Sequence, residues 1–253
     1  MSPDRLPDDV PDSVPGGVSG GVPEGLRDSV PRVIEITGVV RRFESAAGPV
    51  VALDGVDLIV ENGSFTVVAG PSGSGKSTLL GLAACIDRPD AGSVLVGGRD
   101  VLALGRRARR DLRRCRLGLV LPVPADSLLD SLDAVGNLVW AARQRSGERL
   151  APDEAQSLLD VVGLSAAAHK RVTELSGGEQ QRLAVACALV GHPAVVLADE
   201  PTASLDRDSA ALVIATLRAA ADRGATLLVA THDHHVLEQA DVVVHLDHGR
   251  RVA

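Results

Sequence analysis

The chain has 253 residues, of which 45% are hydrophobic and 23% charged, as is ordinary for a soluble globular protein of one large or two small domains. Its net charge of −7 argues against nucleic acid as a partner, because such binding rests on basic surface. The three cysteines are far apart, which argues against a disulfide or zinc framework and indicates a reduced cytosolic compartment. The sequence predicts neither a signal peptide nor a bilayer-spanning segment.

Strand and helix patterns alternate along most of the chain. Residues 1–32 are rich in Pro, Gly and Asp without periodicity, and they predict a disordered tail. Strands are predicted at 32–43, 64–70, 92–98, 116–121, 194–199, 226–232 and 241–247. Helices are predicted around 79–83 and at 134–145, 153–162, 178–190, 207–222 and 234–239. This alternation predicts an α/β sheet covered by helices on both faces.

The segment "GPSGSGKST" fits the phosphate-loop pattern G-x-x-x-x-G-K-[ST] and lies between a predicted strand and a predicted helix, as that motif requires. Its glycines let consecutive backbone N–H groups face one anion, and the helix dipole points at the same place. Lys76 adds a charge for the β- and γ-phosphates, and the Ser77 hydroxyl suits Mg²⁺. The residues predicted to surround the phosphates are Gly70, Pro71, Ser72, Gly73, Ser74, Gly75, Lys76, Ser77 and Thr78.

The predicted strand at 194–199 ends in two acids, Asp199 and Glu200. At the carboxyl edge of a parallel sheet, Asp199 can hold the hydration shell of Mg²⁺, and Glu200 can orient an attacking water. Paired with the phosphate loop, the two acids predict nucleotide hydrolysis rather than binding alone.

Two features precede these acids in the chain. The segment "RRARRDLRRCR" (106–116) carries seven arginines, which predict a solvated helix face or a contact with anionic lipid headgroups or an acidic partner loop. The strand that follows it stops at Pro122, because proline has no backbone donor and fixes its own φ.

The segment "LSGGEQQR" (175–182) predicts a second anion site, since Ser176, Gly177 and Gly178 expose backbone donors at the start of a helix. One nucleotide does not need two cradles within one chain, whereas two chains placed head to tail do. The segment resembles the signature motif of ABC-transporter ATPases. "LADEPTASLD" (197–206) and "VATHD" (229–233) are similar to that family's Walker B with D-loop and to its switch region.

The resemblance covers 33–253 and implies an α/β fold: a P-loop NTPase (RecA-like) core with a mainly parallel sheet, an antiparallel β subdomain and an inserted α-helical subdomain at roughly 122–176. It implies that ATP and Mg²⁺ bind and that Ser77 and Asp199 hold the metal. It implies that Glu200 positions water and His232 contacts the γ-phosphate, with Asp206 as the D-loop acid. Phe43 sits where the family places an aromatic that stacks on adenine, the alternative being a core residue of the first strand.

The same resemblance implies two protein partners. One is a second ATPase chain in a homo- or heterodimer, and the other is an integral-membrane permease subunit that would hold this chain at the cytoplasmic face of the membrane. "ALDGVDL" and "IDRPDAGSVLVGGRDV" are similar to the lipoprotein-release, macrolide-export and cell-division group, which implies export or an envelope-directed process. An ATPase of DNA repair or translation is disfavoured, because the chain is acidic and has no long coiled-coil insertion.

Pro122 departs from the family pattern, which places a glutamine at the end of this strand to reach Mg²⁺ and water. No Gln, Glu or Asn lies within 117–125, and Asp126 is off register. The alternative function is therefore a regulatory module that binds ATP to gate a membrane partner with weak hydrolysis. Among the remaining residues, "HDHH" (232–235) lacks the partners of a metal site, Phe65 is expected in the core, and Trp140 is expected to pack within the helical subdomain.

Overall fold

The computed structural model describes residues 31–46, 48–147, 149–203 and 205–252. Of the predicted tail, 1–32, only Pro31 and Arg32 fall within these ranges, and Arg32 is the first residue of a strand. The rest of that prediction lies outside the described residues.

The smaller of two sheets is antiparallel and has four strands. They are β1 (Arg32–Ser45), β2 (Gly48–Glu61), β4 (Ala91–Val96) and β5 (Arg99–Asp100), in the order β2-β1-β4-β5. Buried side chains such as Ile34 and Ile36 alternate with less buried neighbours, as expected of a sheet with one face toward solvent. The sequence did not predict β2, because Gly and Asp in "ALDGVDL" are depleted in strands.

The larger sheet has six strands and is parallel except at one edge. They are β3 (Phe65–Ala69), β6 (Leu117–Val120), β7 (Val195–Asp199), β8 (Thr226–Thr231), β9 (Val242–Asp247) and β10 (Arg250–Val252). Their order is β10-β9-β3-β8-β7-β6, and only β10 runs antiparallel to its neighbour. Strands β3, β7 and β8 are buried at every position, which fits a parallel sheet covered on both faces.

Helices flank this sheet. They are α1 (Lys76–Ala83), α2 (Arg106–Arg116), α3 (Ala134–Arg145), α4 (Pro152–Val161), α5 (Gly177–Leu189), α6 (Arg207–Asp222) and α7 (His234–Leu237). The bounds of α3 and α6 match the predicted ranges, where Asp133 and Asp206 cap the first turns. The predicted α/β fold, with a parallel-rich and an antiparallel sheet, is confirmed.

Three groups of buried side chains form the interior. One joins the two sheets and α1, one lies among α3, α4 and α5, and one lies between the parallel sheet and α6. Phe65 is fully buried in the third group, as expected. Trp140 was expected to pack within the helical subdomain, and this expectation is wrong, because Trp140 is 41% exposed. Helix α3 packs through the opposite face, on which the buried Leu138 lies.

Arg145, at the end of α3, ties the helical part of the chain to the parallel sheet. Its guanidinium donates to the carbonyl of Leu117 on β6 (3.0 Å) and to that of Ala188 on α5 (3.2 Å). Gly118 lets β6 lie close to α5, since a Cβ on Gly118 would be 2.2 Å from the carbonyl oxygen of Ala188. Within the described residues, no helix combines the length and apolar character needed to span a bilayer.

Replacing this guanidinium tests its structural role. We expect Arg145→Ala to lower the free energy of unfolding by about 1–3 kcal/mol, because two carbonyl acceptors lose their partner. Urea unfolding followed by circular dichroism measures the change. Arg143→Ala, which removes an exposed arginine from the same helix, is the matched control and should change the stability by less than about 0.5 kcal/mol. Equal losses in both variants would contradict the role of Arg145.

Candidate functional site

The carboxyl ends of three parallel strands meet at one edge of the larger sheet. Ala69, the last residue of β3, pairs with Thr231, the last residue of β8, and Asp199 of β7 pairs with Ala230. The phosphate loop follows Ala69, Glu200 follows Asp199, and His232 follows Thr231. Segments far apart in sequence are thereby brought together, as is general for ligand sites of parallel α/β sheets.

Two glycines of the phosphate loop are fixed by their neighbours. A Cβ at Gly70 would lie 2.1 Å from the carbonyl oxygen of Leu246, and a Cβ at Gly75 would lie 2.3 Å from that of Ala52. Gly75 also has a φ of 101°, a region that other residues rarely adopt. The loop therefore presses against β2 and β9 and can be built only with glycine at these positions.

Lys76 opens helix α1 beneath the loop and is almost fully buried. Its ammonium group donates to the carbonyls of Gly70 (2.8 Å) and Pro71 (3.0 Å), and lies 3.6 Å from Oε1 of Glu200. A buried positive charge is thus held inside the loop, where phosphate oxygens would compete for it.

Asp199 has the character of a metal ligand. Burial raises the pKa of its carboxyl group, as does the charge of Glu200, while a hydrogen bond from Ser77 and the charge of Lys76 oppose the rise. Its Oδ1 atom is buried without a hydrogen-bond partner among the described residues. A carboxylate oxygen of this kind beside a serine hydroxyl fits Mg²⁺, which binds through one or two carboxylates, waters and substrate phosphates.

Glu200 lies at the centre of the hydrogen bonds at this edge. Its Oε1 is 3.0 Å from Nδ1 of His232, and its Oε2 accepts a hydrogen bond from Thr231 (2.9 Å). Its backbone has a φ of 46°, which is sterically unfavourable outside glycine, and its N–H donates to the Ala230 carbonyl (2.8 Å). Glu200 and His232, predicted as the catalytic pair, are therefore in direct contact.

The second predicted anion site is the N-terminus of α5. Ser176 caps the helix by accepting from the N–H of Glu179 (3.3 Å), and its own N–H donates back to that carboxylate (2.7 Å), which lowers the pKa of Glu179. A Cβ built on Gly177 would have no atom within 4 Å, so the backbone at Gly177 is open on the side where a side chain would stand. Within the described part of the chain, no hydrogen bond joins Ser176, Gly177 or Gly178 to the phosphate loop.

Asp206 lies next to this second site. It caps α6 by accepting from the N–H of Ser209 (2.9 Å), and that bond lowers the pKa of its carboxyl group. The Ser209 hydroxyl accepts a hydrogen bond from Arg182 of α5. A Cβ at Gly178 would lie 3.4 Å from the same hydroxyl oxygen. The N-termini of α5 and α6, capped by Ser176 and Asp206, are therefore adjacent.

Phe43 lies on β1 with its ring partly exposed. The Arg41 guanidinium lies 4.5 Å from the ring centroid, held there by Asp87 (2.9 Å) and Asp90 (3.1 Å). The ring is therefore not a core residue of the first strand, and a cation–π contact fixes its position.

Pro122 is exposed just beyond β6, which ends at Val120 rather than at the predicted Leu121. Val120 pairs with Ala198, so Pro122, two residues after Val120, stands in register with Glu200, two residues after Ala198. At this register position the chain carries a proline, whose side chain offers no polar atom. Asp126, the nearest acid downstream, is exposed in a short 3₁₀ helix.

A groove of about 710 Å³ lies between α2, β6, α3 and α5. Arg107, Arg110, Arg113 and Arg114 of α2 line it together with Leu121 and the half-exposed Trp140. None of the seven arginines of α2 forms an ion pair with another described residue. Asp111 and Asp126 also line the groove, which thus combines apolar surface with an excess of positive over negative side chains.

The sequence interpretation missed three polar residues of the site, Thr202, Thr231 and Asp233. Their side chains are joined to one another or to Glu200 by hydrogen bonds. Thr231 and Asp233 flank His232 in "VATHD". The signal that could have identified Thr231 is its hydroxyl at the end of an otherwise apolar strand, next to the predicted histidine.

Comparison with known proteins places the chain among ATP-binding cassettes. Residues 53–203 match the family model described as ABC transporter. The chain is 46% identical over 226 residues to the lipoprotein-releasing system ATP-binding protein LolD of Anaeromyxobacter dehalogenans, which covers 87% of this chain and 92% of that protein. It is 40% identical over 231 residues to the macrolide export ATP-binding/permease protein MacB of Rhodospirillum rubrum, covering 90% of this chain and 35% of that protein. The chain thus spans about a third of that relative's length.

A solved structure agrees with these relatives. The ATP-binding cassette MJ0796, in a dimeric post-hydrolysis state bound to ADP and Pi, is similar with a TM-score of 0.80 and 29% identity. The similarity covers 87% of this chain and 97% of that one.

The crowding at Gly75 yields a test of the phosphate loop. We expect Gly75→Ala to weaken ATP binding by at least about tenfold, because the new Cβ would displace the Ala52 carbonyl and distort the loop. Titration calorimetry with ATP measures the affinity. Gly55→Ala is the matched control, since Gly55 has a φ of 72° but nothing within 4 Å of a Cβ. An unchanged affinity in Gly75→Ala would contradict the predicted role of this loop.

Proposed function

This chain belongs to the ABC transporter family as an ATP-binding and ATP-hydrolysing member, and on that premise we propose that it drives a separate membrane subunit in export or another envelope-directed process. Two copies, or this chain and a similar one, would close head to tail around two ATP molecules. The observation that carries the proposal is the meeting of Lys76, Glu200 and His232 at one sheet edge, with Glu200 Oε1 3.6 Å from the lysine and 3.0 Å from the histidine.

Binding of ATP begins at residues 70–78. The loop amides and Lys76 would hold the β- and γ-phosphates, so the ammonium group exchanges its contacts with Glu200 and with the loop carbonyls for phosphate oxygens. Ser77 and Asp199 are the residues that would hold Mg²⁺, which neutralises developing charge on the phosphates when bound. Phe43 would stack on adenine from β1.

Hydrolysis follows from the position of Glu200. Freed from Lys76, its carboxylate accepts a hydrogen bond from a water, whose oxygen attacks the γ-phosphorus as the bond to the β–γ bridging oxygen breaks. The proton leaves with the products, ADP and inorganic phosphate. His232 would donate a hydrogen bond to a γ-phosphate oxygen and so report its presence to the switch segment.

The second anion site supports the head-to-tail arrangement. Ser176, Gly177 and Gly178 would face the ATP held by the partner chain, and Asp206 would lie at the same interface, since the N-termini of α5 and α6 are adjacent. MJ0796, the dimeric cassette of similar structure, supports this assembly by analogy.

The groove beside α2 supports contact with a membrane subunit. We propose that 122–176 forms a helical subdomain and that the groove at its border with the sheet receives a cytoplasmic segment of the permease, which would hold the chain at the inner face of the membrane. The arginines of α2 and the exposed Trp140 supply charge and apolar area for such a segment. The names of LolD and MacB suggest lipoprotein release and macrolide export as the kinds of process to test first.

Pro122 favours a second candidate function, a regulatory module that gates a membrane partner by ATP binding with weak hydrolysis. The proline stands two residues beyond Val120, as Glu200 stands two residues beyond its partner Ala198, and it offers no side-chain oxygen or nitrogen to water or metal. Hydrolysis would then rest on Glu200 and His232 alone.

Removing the charge of Glu200 tests the main proposal. We expect Glu200→Gln to lower the ATPase rate by about 10²–10⁴-fold, with ATP affinity retained and an ATP-bound dimer accumulating. Phosphate release measures the rate, and size-exclusion chromatography with ATP measures the dimer. Glu238→Gln, at an exposed carboxylate just beyond α7, is the control and should match the parent. A parental rate in Glu200→Gln would refute the role given to this carboxylate.

Restoring an amide at residue 122 tests the second candidate. We expect Pro122→Gln to raise the ATPase rate by about two- to tenfold, the range that one added hydrogen bond provides, with ATP affinity unchanged. Pro124→Gln, two residues further on, should leave the rate at the parental value. If Pro122→Gln leaves both the ATPase rate and its stimulation by a membrane partner unchanged, the proline does not limit hydrolysis.

A further inference from the structure

Thr231, the last residue of β8, is fully buried, and its hydroxyl group takes part in two hydrogen bonds. Its oxygen accepts a hydrogen bond from the backbone N–H of Asp233 (3.0 Å). Because an N–H can only donate, the single hydroxyl proton remains for the other neighbour, Oε2 of Glu200, at 2.9 Å. The hydroxyl is therefore held in one orientation, with its proton directed at the glutamate.

A second hydroxyl closes a ring around the same two loops. Thr202, two residues after Glu200 and also buried, donates to Oδ2 of Asp233 (2.8 Å). The ring runs from Glu200 along the chain to Thr202, across to Asp233, on to Thr231 and back to Glu200. It joins the loop after β7 to the loop after β8, on which His232 lies.

The two carboxylate oxygens of Glu200 have different partners. Oε1 contacts Lys76 and His232, two side chains that face the nucleotide in the proposed reaction. Oε2 contacts Thr231, which is fully buried. When the γ-phosphate draws both Lys76 and His232 away from Oε1, as the proposed reaction has it, the Thr231 bond to Oε2 remains to keep the carboxylate in place.

We propose that Thr231 is a positioning residue for ATP hydrolysis: its hydroxyl fixes Glu200 through Oε2 and, through Asp233, ties the glutamate to the segment that carries His232. The inference rests on the role proposed for Glu200. A carboxylate on an unfavourable backbone, with φ at 46°, needs such a restraint to present one oxygen to water.

The test replaces the hydroxyl by a methyl group of the same shape. We expect Thr231→Val to lower kcat by about ten- to a hundredfold, the loss of one hydrogen bond to a charged group, while KM for ATP changes by less than about threefold. Thr231→Ser, which keeps the hydroxyl, should recover kcat to within about threefold of the parent. Steady-state phosphate release over a range of ATP concentrations separates the two constants.

A matched control comes from the other end of the same strand. Thr226 is equally buried, and its hydroxyl accepts from the N–H of Gly63 (2.9 Å) at the edge away from the site. Thr226→Val removes a buried hydroxyl from β8 and should leave kcat within about twofold of the parent. Equal losses of kcat in Thr226→Val and Thr231→Val, or a failure of Thr231→Ser to recover the rate, would overturn the proposal.

Two further measurements keep the proposal testable. Thr202→Val breaks the ring at its other hydroxyl, and if Thr231→Val does not fold, this variant must still lower kcat without raising KM, or the ring has no positioning role. In a Glu200→Gln background, Thr231→Val should cause no additional loss of kcat, because the hydroxyl acts through the carboxylate. Parental activity of Glu200→Gln would refute the proposed function, whereas an inactive Glu200→Gln with an active Thr231→Val would refute this inference alone.

Discussion

The in-register pairing of β3, β8 and β7 is the constraint on which the site depends. With Ala69 opposite Thr231 and Asp199 opposite Ala230, the three strands end at the same level, and each continues into one part of the site. A slip of one residue in either pairing would turn the side chains of that strand to the opposite face. The buried Val, Leu and Ala residues that line both faces of these strands therefore also determine where the phosphate loop, the acids and the histidine stand.

The charge of the buried Lys76 is satisfied by groups of the chain itself. Lys76 is buried among two loop carbonyls and the Glu200 carboxylate, whose Oε1 lies 3.6 Å from the ammonium group. A buried ammonium group without such partners would cost several kcal/mol. The ion pair therefore stabilises the fold of the phosphate loop and holds Glu200 toward the lysine. In the proposed reaction a phosphate oxygen would take the glutamate's place at the ammonium group.

Much of the fold and of the site could be predicted from the sequence, because the signals were local. Helices α3 and α6 begin at aspartate caps and match their predicted ranges, and the glycines of 70–78 mark a loop that only glycine permits. The hydrogen bonds of Thr231 and Thr202 could not be predicted, since their partners lie 31 residues away and depend on strand order. Trp140 was misplaced because the pattern of α3 does not say which apolar side chain lies on its outer face.

The arginines of α2 give the molecule an electrical polarity. A chain with a net charge of −7 carries seven positive side chains on one eleven-residue helix, and none of them is neutralised by an ion pair with another described residue. Such a separation of charge turns an approaching acidic surface toward the helix before contact and raises the rate of encounter rather than the strength of the final complex. Because the Debye length shortens to about 8 Å at physiological ionic strength, this orienting force acts only over the last few water layers and weakens steadily as salt is added.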